Sequence, residues 1–176
     1  MSKSDTWVGL GLQGGGTMLV VGWESTEGYM VRGKMETAMV PVSTTGPRIG
    51  IGLGASVGLV AMFAFNCSRL TSLDKKWSGS PAANAALPTG KVSSKGLSVL
   101  FKLADKLEDL DELKKAMDKM ATVEALLTVA ADISNTNSAA SAVTTEPTLL
   151  VLPIPLAGTG LELTAHWSEQ RFSVDF

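Results

Sequence analysis

The sequence predicts a single α+β domain: a curled antiparallel β-sheet or barrel of about six to seven strands, assembled from both chain ends, with a central helical insertion. Three observations support this class. Both ends are rich in glycine and apolar residues that alternate with a period of two, as strands do. The centre spaces its apolar residues three and four apart, as amphipathic helices do. Of the 15 Lys and Arg and 17 Asp and Glu residues, 14 lie between Ser93 and Ile133.

The chain length suits one domain. A chain of 176 residues buries roughly two thirds of its surface around one core of ordinary size. We therefore expect a single domain (1–176), divided into a β-meander (1–70), a loop (71–92), the helical insertion (93–134), a second loop (135–147) and C-terminal strands (148–176).

Charge and cysteine content exclude several classes of protein. A net charge of −2 disfavours a protein held on nucleic acid mainly by phosphate contacts, so no nucleic-acid partner is expected. One cysteine, Cys67, excludes an internal disulfide and cysteine-rich zinc sites, and we expect a buried thiol. The N-terminal residues lack the apolar segment of a secretory signal, so we expect cytoplasmic synthesis and leave the final location open, membrane association included.

The first 70 residues predict a meander of four strands. Clusters of turn-forming residues separate the apolar runs: GLQGGGT (11–17), ESTEG (24–28) and STTGP (43–47). We therefore expect three short turns in this part of the chain.

The fourth run, Ile49 to Ser68, is uncharged and has glycine at alternate positions at its start. Its odd-numbered residues from Ile49 to Phe65 form a bulky face that we expect to be buried. The opposite face begins with Gly50, Gly52, Gly54 and Gly58. A straight strand over residues 49–65 would be roughly 56 Å long, so we expect it to bend at these glycines. The four glycines are the predicted binding residues, because a face without side chains admits another backbone or a ligand closely.

The central region predicts two helices or one kinked helix. Ser93 or Ser94 is a suitable N-cap. The apolar pattern slips in phase near Asp109 to Asp111, where we expect a break. The apolar positions on the two sides of that break are Leu97, Leu100, Leu103 or Ala104, Leu107 and Leu110, and then Leu113, Met117, Met120, Val123, Leu127 and Ala130.

The flanking and C-terminal segments predict loops and a closing hairpin. Residues 78–90 and 135–147 have the small, polar composition of exposed loops. Pro153 and Pro155 lack amide donors, which places the strand that begins near Thr148 at an edge. Alternation from Leu161 to Trp167, followed by a short turn toward Phe172, favours a final hairpin.

Residues suited to catalysis or metal binding are few. Two segments fit glycine motifs of dinucleotide sites, GLGLQG (9–14) and GIGLGA (50–55), but neither has the strand, helix and second strand that such a site needs. The sole histidine, His166, shares a predicted strand face with Glu162, an arrangement compatible with acid–base catalysis. A polar outer strand face gives the same pattern. We expect no cofactor and no metal site.

Three functions are compatible with these patterns. The favoured one is a non-catalytic binding or assembly protein that uses apolar, glycine-rich strand surfaces to contact a protein partner, itself or an amphiphile. The second is a membrane-inserting or membrane-anchored protein, because residues 48–69 include twenty uncharged residues with a GxxxGxxxG pattern, enough to span about 30 Å as a helix. The third is a small-molecule enzyme that uses His166 and Glu162.

Overall fold

The protein folds as a curled antiparallel sheet with helices packed on one side, which confirms the predicted α+β class. The computed structural model describes residues 6–33, 38–73, 77–82, 94–104, 106–107, 109–135, 148–154 and 166–174. The strands in these ranges are β1 (Trp7–Arg32), β2 (Val40–Phe65), β3 (Trp77–Ala82), β4 (Thr148–Ile154) and β5 (His166–Val174). The helices are α1 (Ser94–Ala104), α2 (Leu110–Met117) and α3 (Met120–Asn135), with a short 3-10 helix at Leu70–Ser72.

One long hairpin replaces the predicted meander of four strands. β1 and β2 are 26 residues each and pair from Trp7 opposite Ala64 to Met30 opposite Val40. All three predicted turns at 11–17, 24–28 and 43–47 are therefore wrong. Their glycine, serine and threonine residues lie in extended backbone, because the turn-like segment 24–28 pairs with residues 42–46. The described glycine with positive φ is Gly33, at the end of β1, where the chain does reverse.

The hairpin folds back on itself at its middle, as the length of the strands requires. A straight strand of this length would extend about 86 Å, several times the usual length. The register shifts between Leu19 and Val21, and the two halves of β1 meet again at the far end, where the Gly33 amide donates to the Thr6 carbonyl oxygen. The predicted curvature of the glycine-rich strand is confirmed.

The other strands extend the two halves of the hairpin. β4 pairs with residues 59–65 of β2, and β5 pairs with residues 42–50 of β2. β3 pairs with β5, giving the order β1-β2-β5-β3 with β4 also on β2. The prediction that both chain ends build one sheet is confirmed.

Two local predictions for these strands are wrong. The segment 71–92 is not only a loop, because Trp77–Ala82 forms β3, and β5 continues through the turn predicted before Phe172. Both segments are extended because each has a partner strand: β5 pairs with β2 on one side and with β3 on the other.

The first hairpin half consists of residues 7–19 of β1 with 52–65 of β2, and the second half of residues 21–32 with 40–49. Two hydrophobic cores lie on opposite faces of the first half. The helix-facing core lies between this half and the helices, and its central sheet residues are Leu59, Ala61, Phe63 and Phe65. The interior core lies between the two folded hairpin halves. It contains Val60, Met62 and Ala64 of β2, packed with other buried residues such as Trp7, Met30 and Val42. The expected burial of the bulky β2 face is therefore confirmed at 59–65, and the opposite face is buried there too.

The helices lie where the spacing predicts them, but the described residues form three helices and not the two, or one kinked, that were expected. The predicted break is confirmed at Asp109, whose Oδ1 accepts from the Glu112 amide at 2.8 Å and so caps α2. A second interruption separates α2 from α3. Met120, expected on the apolar face, is 62% exposed because it begins α3 instead of continuing α2. The Lys114 ammonium lies 5.9 Å from the Tyr29 ring centre and joins α2 to β1.

Candidate functional site

The predicted glycine row lies in the middle of β2, at the bend of the hairpin. Gly50 pairs with His166 of β5, whereas Gly52, Gly54 and Gly58 pair with Leu19, Thr17 and Gln13 of β1. The row shares its alternation with Val60 and Met62, so it belongs to the face that turns toward the interior of the curl. Their role in binding stays a prediction.

Other glycines permit the two halves of the hairpin to touch. A Cβ added at Gly9 would overlap the Tyr29 carbonyl oxygen, and one added at Gly28 would overlap the Leu10 carbonyl oxygen. At Gly11 an added Cβ would lie 2.6 Å from the Thr26 methyl group. The close approach that the sequence predicted for glycine faces is thus made by the protein's own backbone at these positions.

Gly14 and Gly58 differ from these glycines because an added Cβ at either meets nothing within 4 Å. They are diagonal neighbours across β1 and β2, since Gly58 pairs with Gln13. Alternation places Gly58 on the interior face with Val60 and Gly14 on the helix side with Leu10 and Leu12. Gly58 is half-buried, and the space beside it is open.

Polar side chains gather at this end of the interior. The Gln13 amide nitrogen donates to the Glu24 carboxylate, which joins the two halves of β1 across the fold. Glu24, Thr26 and Thr44 are each at most 2% exposed. We call Gln13, Glu24, Thr26 and Thr44 the polar end of the interior, in contrast with the apolar interior core.

Thr26 is the member of this group whose hydrogen bonding is incomplete. Its side chain is 1% exposed, and its hydroxyl is buried without a hydrogen-bond partner among the described residues. Leaving such a group unpaired costs roughly 1–3 kcal/mol, so a native fold that keeps one requires an explanation.

The outer face of the second hairpin half is the other distinctive surface. Trp23 is 57% exposed there, and its indole nitrogen donates to the Thr45 hydroxyl at 2.9 Å. Further along this face, Tyr29 and Val31 pack with the helix-facing core, whereas around Trp23 the described residues are exposed or half-buried. The other residues of this face across the three strands are Ser25, Glu27, Pro41, Ser43, Thr45, Arg171 and Ser173.

The proposed catalytic pair is not brought together by the described residues. His166 begins β5 and pairs with Gly50 and Ala82, whereas Glu162 lies outside the described residues. The two glycine motifs lie inside β1 and β2, so neither forms the strand-to-helix turn of a dinucleotide site. In the ranges that are described, no three His, Cys, Asp or Glu side chains form a group that could hold a metal ion.

Cys67 is a buried thiol that is not part of a disulfide, as expected. Its Sγ lies 2.9 Å from the Arg69 carbonyl oxygen and 3.1 Å from the Ser72 hydroxyl, and the Cys67 carbonyl oxygen accepts from the Trp7 indole at 2.9 Å. These contacts hold the turn after β2 against the start of β1, which gives the residue a structural role.

Sequence reasoning missed the polar end. These four residues all fall in segments that the sequence assigns to turns, which predicts exposure and not burial: Gln13, Glu24, Thr26 and Thr44. The available signal was the alternation of Glu24, Thr26, Gly28 and Met30, which share one strand face.

Comparisons with known proteins assign neither a family nor a function to this chain. No protein-family model, no curated protein and no solved structure matches this chain. Among the described helices, none combines the length and the apolar character needed to cross a bilayer. Of residues 48–69, considered above as a membrane helix, 48–65 are part of β2, so the helical form of that alternative is wrong.

Proposed function

We propose that the protein is a non-catalytic assembly protein, and that it contacts a second copy of itself through the outer face of the second hairpin half. The observation that carries the proposal is Trp23, a large apolar side chain 57% exposed on a sheet face. Tryptophan is enriched among the residues that dominate protein interfaces.

The composition of this face suits contact with another protein. Serine, threonine and proline surround Trp23, and they bring little charge that would have to be desolvated. The sheet is four strands wide here, or about 14 Å from β1 to β3. An amphiphile is less well matched, because the exposed face offers one large apolar side chain among polar ones and the apolar interior core is filled by buried side chains.

The charges on the face favour a second copy as the partner. Glu27 on β1 and Arg171 on β5 are exposed on opposite sides of β2. A two-fold axis parallel to β2 in the plane of contact would place β1 of one copy over β5 of the other. Each Glu27 would then lie diagonal to an Arg171, two residues further along the strand because Glu27 pairs with Ser43 and Arg171 with Thr45. Opposite charges at that diagonal suit a self-complementary interface.

A substitution at Trp23 tests this proposal. Trp23→Ser should weaken self-association at least about tenfold, since interface tryptophans commonly contribute more than 1.4 kcal/mol. Sedimentation velocity over a wide concentration range measures the association constant. Met120→Ser is the matched control, because Met120 is as exposed but lies on a helix. A wild-type protein that stays monomeric throughout, or equal weakening by both variants, would contradict the proposal.

A charge exchange tests the geometry separately. Glu27→Arg alone should weaken association through like charges, and Glu27→Arg with Arg171→Glu should restore it. If the double variant associates no better than the single one, the two residues do not oppose each other across the interface.

The proposal keeps the predicted barrel as its structural basis. Counting each half of β1 and β2 as a strand gives seven segments with β3, β4 and β5, within the range of six to seven. If the curled sheet closes into a barrel, few free edges remain for nonspecific pairing, and association is directed to a face. The enzyme and membrane-hairpin alternatives have no comparable support.

A further inference from the structure

We propose that Arg171 of the second copy binds between Trp23 and Glu27, where its guanidinium stacks on the indole and pairs with the carboxylate. This contact rests on the self-association proposed above, through the outer face of the second hairpin half. It identifies the side chain that covers Trp23 and the chain that supplies that side chain.

The strand register sets the level of Arg171 relative to β1. Arg171 of β5 pairs with Thr45 of β2, and Thr45 pairs with Ser25 of β1. Trp23 and Glu27 lie two residues to either side of Ser25, on the same face. A two-fold axis parallel to β2 keeps each level along the strands while it exchanges β1 with β5. Arg171 of the second copy therefore lies over Ser25, midway between the indole and the carboxylate.

The space over Ser25 suits an arginine side chain. Trp23 and Glu27 are both exposed, whereas the serine between them is half-buried. The Cα atoms of Trp23 and Glu27 are four residues apart along the strand, or about 13 Å, and facing sheets pack about 10 Å apart. A guanidinium that enters between the two larger side chains can therefore reach both of them.

A hydrogen bond within the chain turns the indole of Trp23 toward this space. The indole nitrogen donates to the Thr45 hydroxyl at 2.9 Å. Trp23 itself pairs with Pro47, so this bond runs diagonally toward the level of Ser25. The indole has one polar group, and that group is used within its own chain, which leaves the ring faces for a partner. Thr45 is thus a positioning residue for the contact.

The chemistry of the ring faces favours an arginine. Tryptophan attracts cations more strongly than the other aromatic side chains, and arginine makes this contact more often than lysine. A planar guanidinium can lie on the ring and still direct N–H donors at a carboxylate. Glu27, exposed on the other side of Ser25, supplies that carboxylate. One arginine therefore satisfies both neighbours at once.

Two mixed dimers with the same substitutions test which chain supplies the arginine. Trp23→Ser mixed with Arg171→Ala gives a dimer with one intact contact, because the tryptophan of the second chain meets the arginine of the first. A chain that carries both substitutions, mixed with wild type, gives a dimer with no intact contact. The first pair should therefore associate about fivefold more tightly than the second.

Fluorescence-detected sedimentation of one labelled chain, titrated with the other, measures both association constants. Equal constants would overturn the contact. Tighter association of the second pair would also overturn it, since that is the result for a contact within one chain. Either result leaves the proposed self-association in place if wild type associates and Trp23→Ser weakens it. A wild-type protein that stays monomeric overturns both.

Variants of Thr45 test its positioning role. Thr45→Val retains the shape without the acceptor and should weaken self-association about threefold, whereas Thr45→Ser should retain it. Thr128→Val, a matched change on the exposed side of α3, is the control and should leave association unchanged. If Thr45→Val associates as tightly as wild type, or if Thr128→Val weakens association equally, the positioning role is wrong.

Discussion

At the scale of single residues, glycine has two separate roles in this chain. Gly9, Gly11 and Gly28 lie where the two halves of β1 touch, and an added side chain would enter the opposing strand. Gly14 and Gly58 have free space around the same position. These glycines therefore differ in how well they tolerate an added side chain, because different groups lie opposite them in the fold.

We predict that Gly28→Ala destabilises the protein by about 2 kcal/mol or more, because the new methyl group would overlap the backbone of Leu10. Gly14→Ala should change stability by less than about 0.5 kcal/mol. Urea unfolding of the two variants measures both values. Equal stabilities would mean that the halves of β1 are further apart than described.

The buried indole of Trp7 supports a second prediction at this scale. Its nitrogen donates to the Cys67 carbonyl oxygen, and Trp7 is 7% exposed. Trp7→Phe removes this donor and part of the ring, which should cost about 1–3 kcal/mol. The free energy of unfolding in denaturant checks this, with Trp23→Phe at the exposed position as the control. A smaller cost for Trp7→Phe than for Trp23→Phe would contradict the role of the buried bond.

At the scale of elements, the break between α1 and α2 is set by one side chain. Asp109 accepts from the Glu112 amide, and α2 is only eight residues long, so the cap matters to its start. Asp109→Ala should destabilise the protein by about 1 kcal/mol. Asp109→Ser should retain most of the stability, because serine also caps, and chemical denaturation followed by circular dichroism compares them. Equal losses would show that the cap is not the cause.

The long hairpin makes a prediction about backbone protection. Residues 11–17 and 24–28 look like turns, yet their strands are paired with β2 along their length. Hydrogen exchange at these amides should be slower than at Ala38, which is exposed and lies outside the strands. Exchange at 24–28 as rapid as at Ala38 would favour the meander of four strands.

The sequence predicts the break between α1 and α2 correctly but predicts the turns of the first 70 residues wrongly, for a physical reason. Helical spacing and the cap at Asp109 are local, so the break between α1 and α2 follows from neighbouring residues. The turn clusters depend on what pairs with them. Gly, Ser and Thr adopt turns when unpaired and strands when a partner supplies hydrogen bonds, and a single sequence does not identify that partner.

At the scale of the whole molecule, the helices and the folded hairpin share one core. Phe63 and Leu59 of β2 pack in the same cluster as Leu113, Met117 and Leu126 of the helices. Leu113→Ala should therefore lower the free energy of unfolding by about 2–5 kcal/mol, whereas Lys115→Ala, exposed on the same helix, should stay within about 0.5 kcal/mol. Denaturant titrations measure both. Similar stabilities would mean that the helical layer contributes little to the fold.

The same shared core is the reason to expect one domain, which stays a prediction. If the helices and the sheet unfold together, probes of α3 and of β2 should give coincident transitions. Two separated transitions would instead divide the chain into independent units.

The sequence by itself determined the class of the fold, the strand character of residues 49–65 and the placement of the helices. Those features depend on periodicities of two and of about 3.6, which are local properties of the chain. Only the tertiary structure decided that four expected strands are one folded hairpin, that Gly28 touches Leu10 and that Glu24 and Thr26 are buried. Each of these depends on contacts between residues far apart in the sequence. The polar end of the interior forms only when the hairpin folds back. The alternation of Glu24, Thr26, Gly28 and Met30 groups these residues on one face but does not identify what that face packs against.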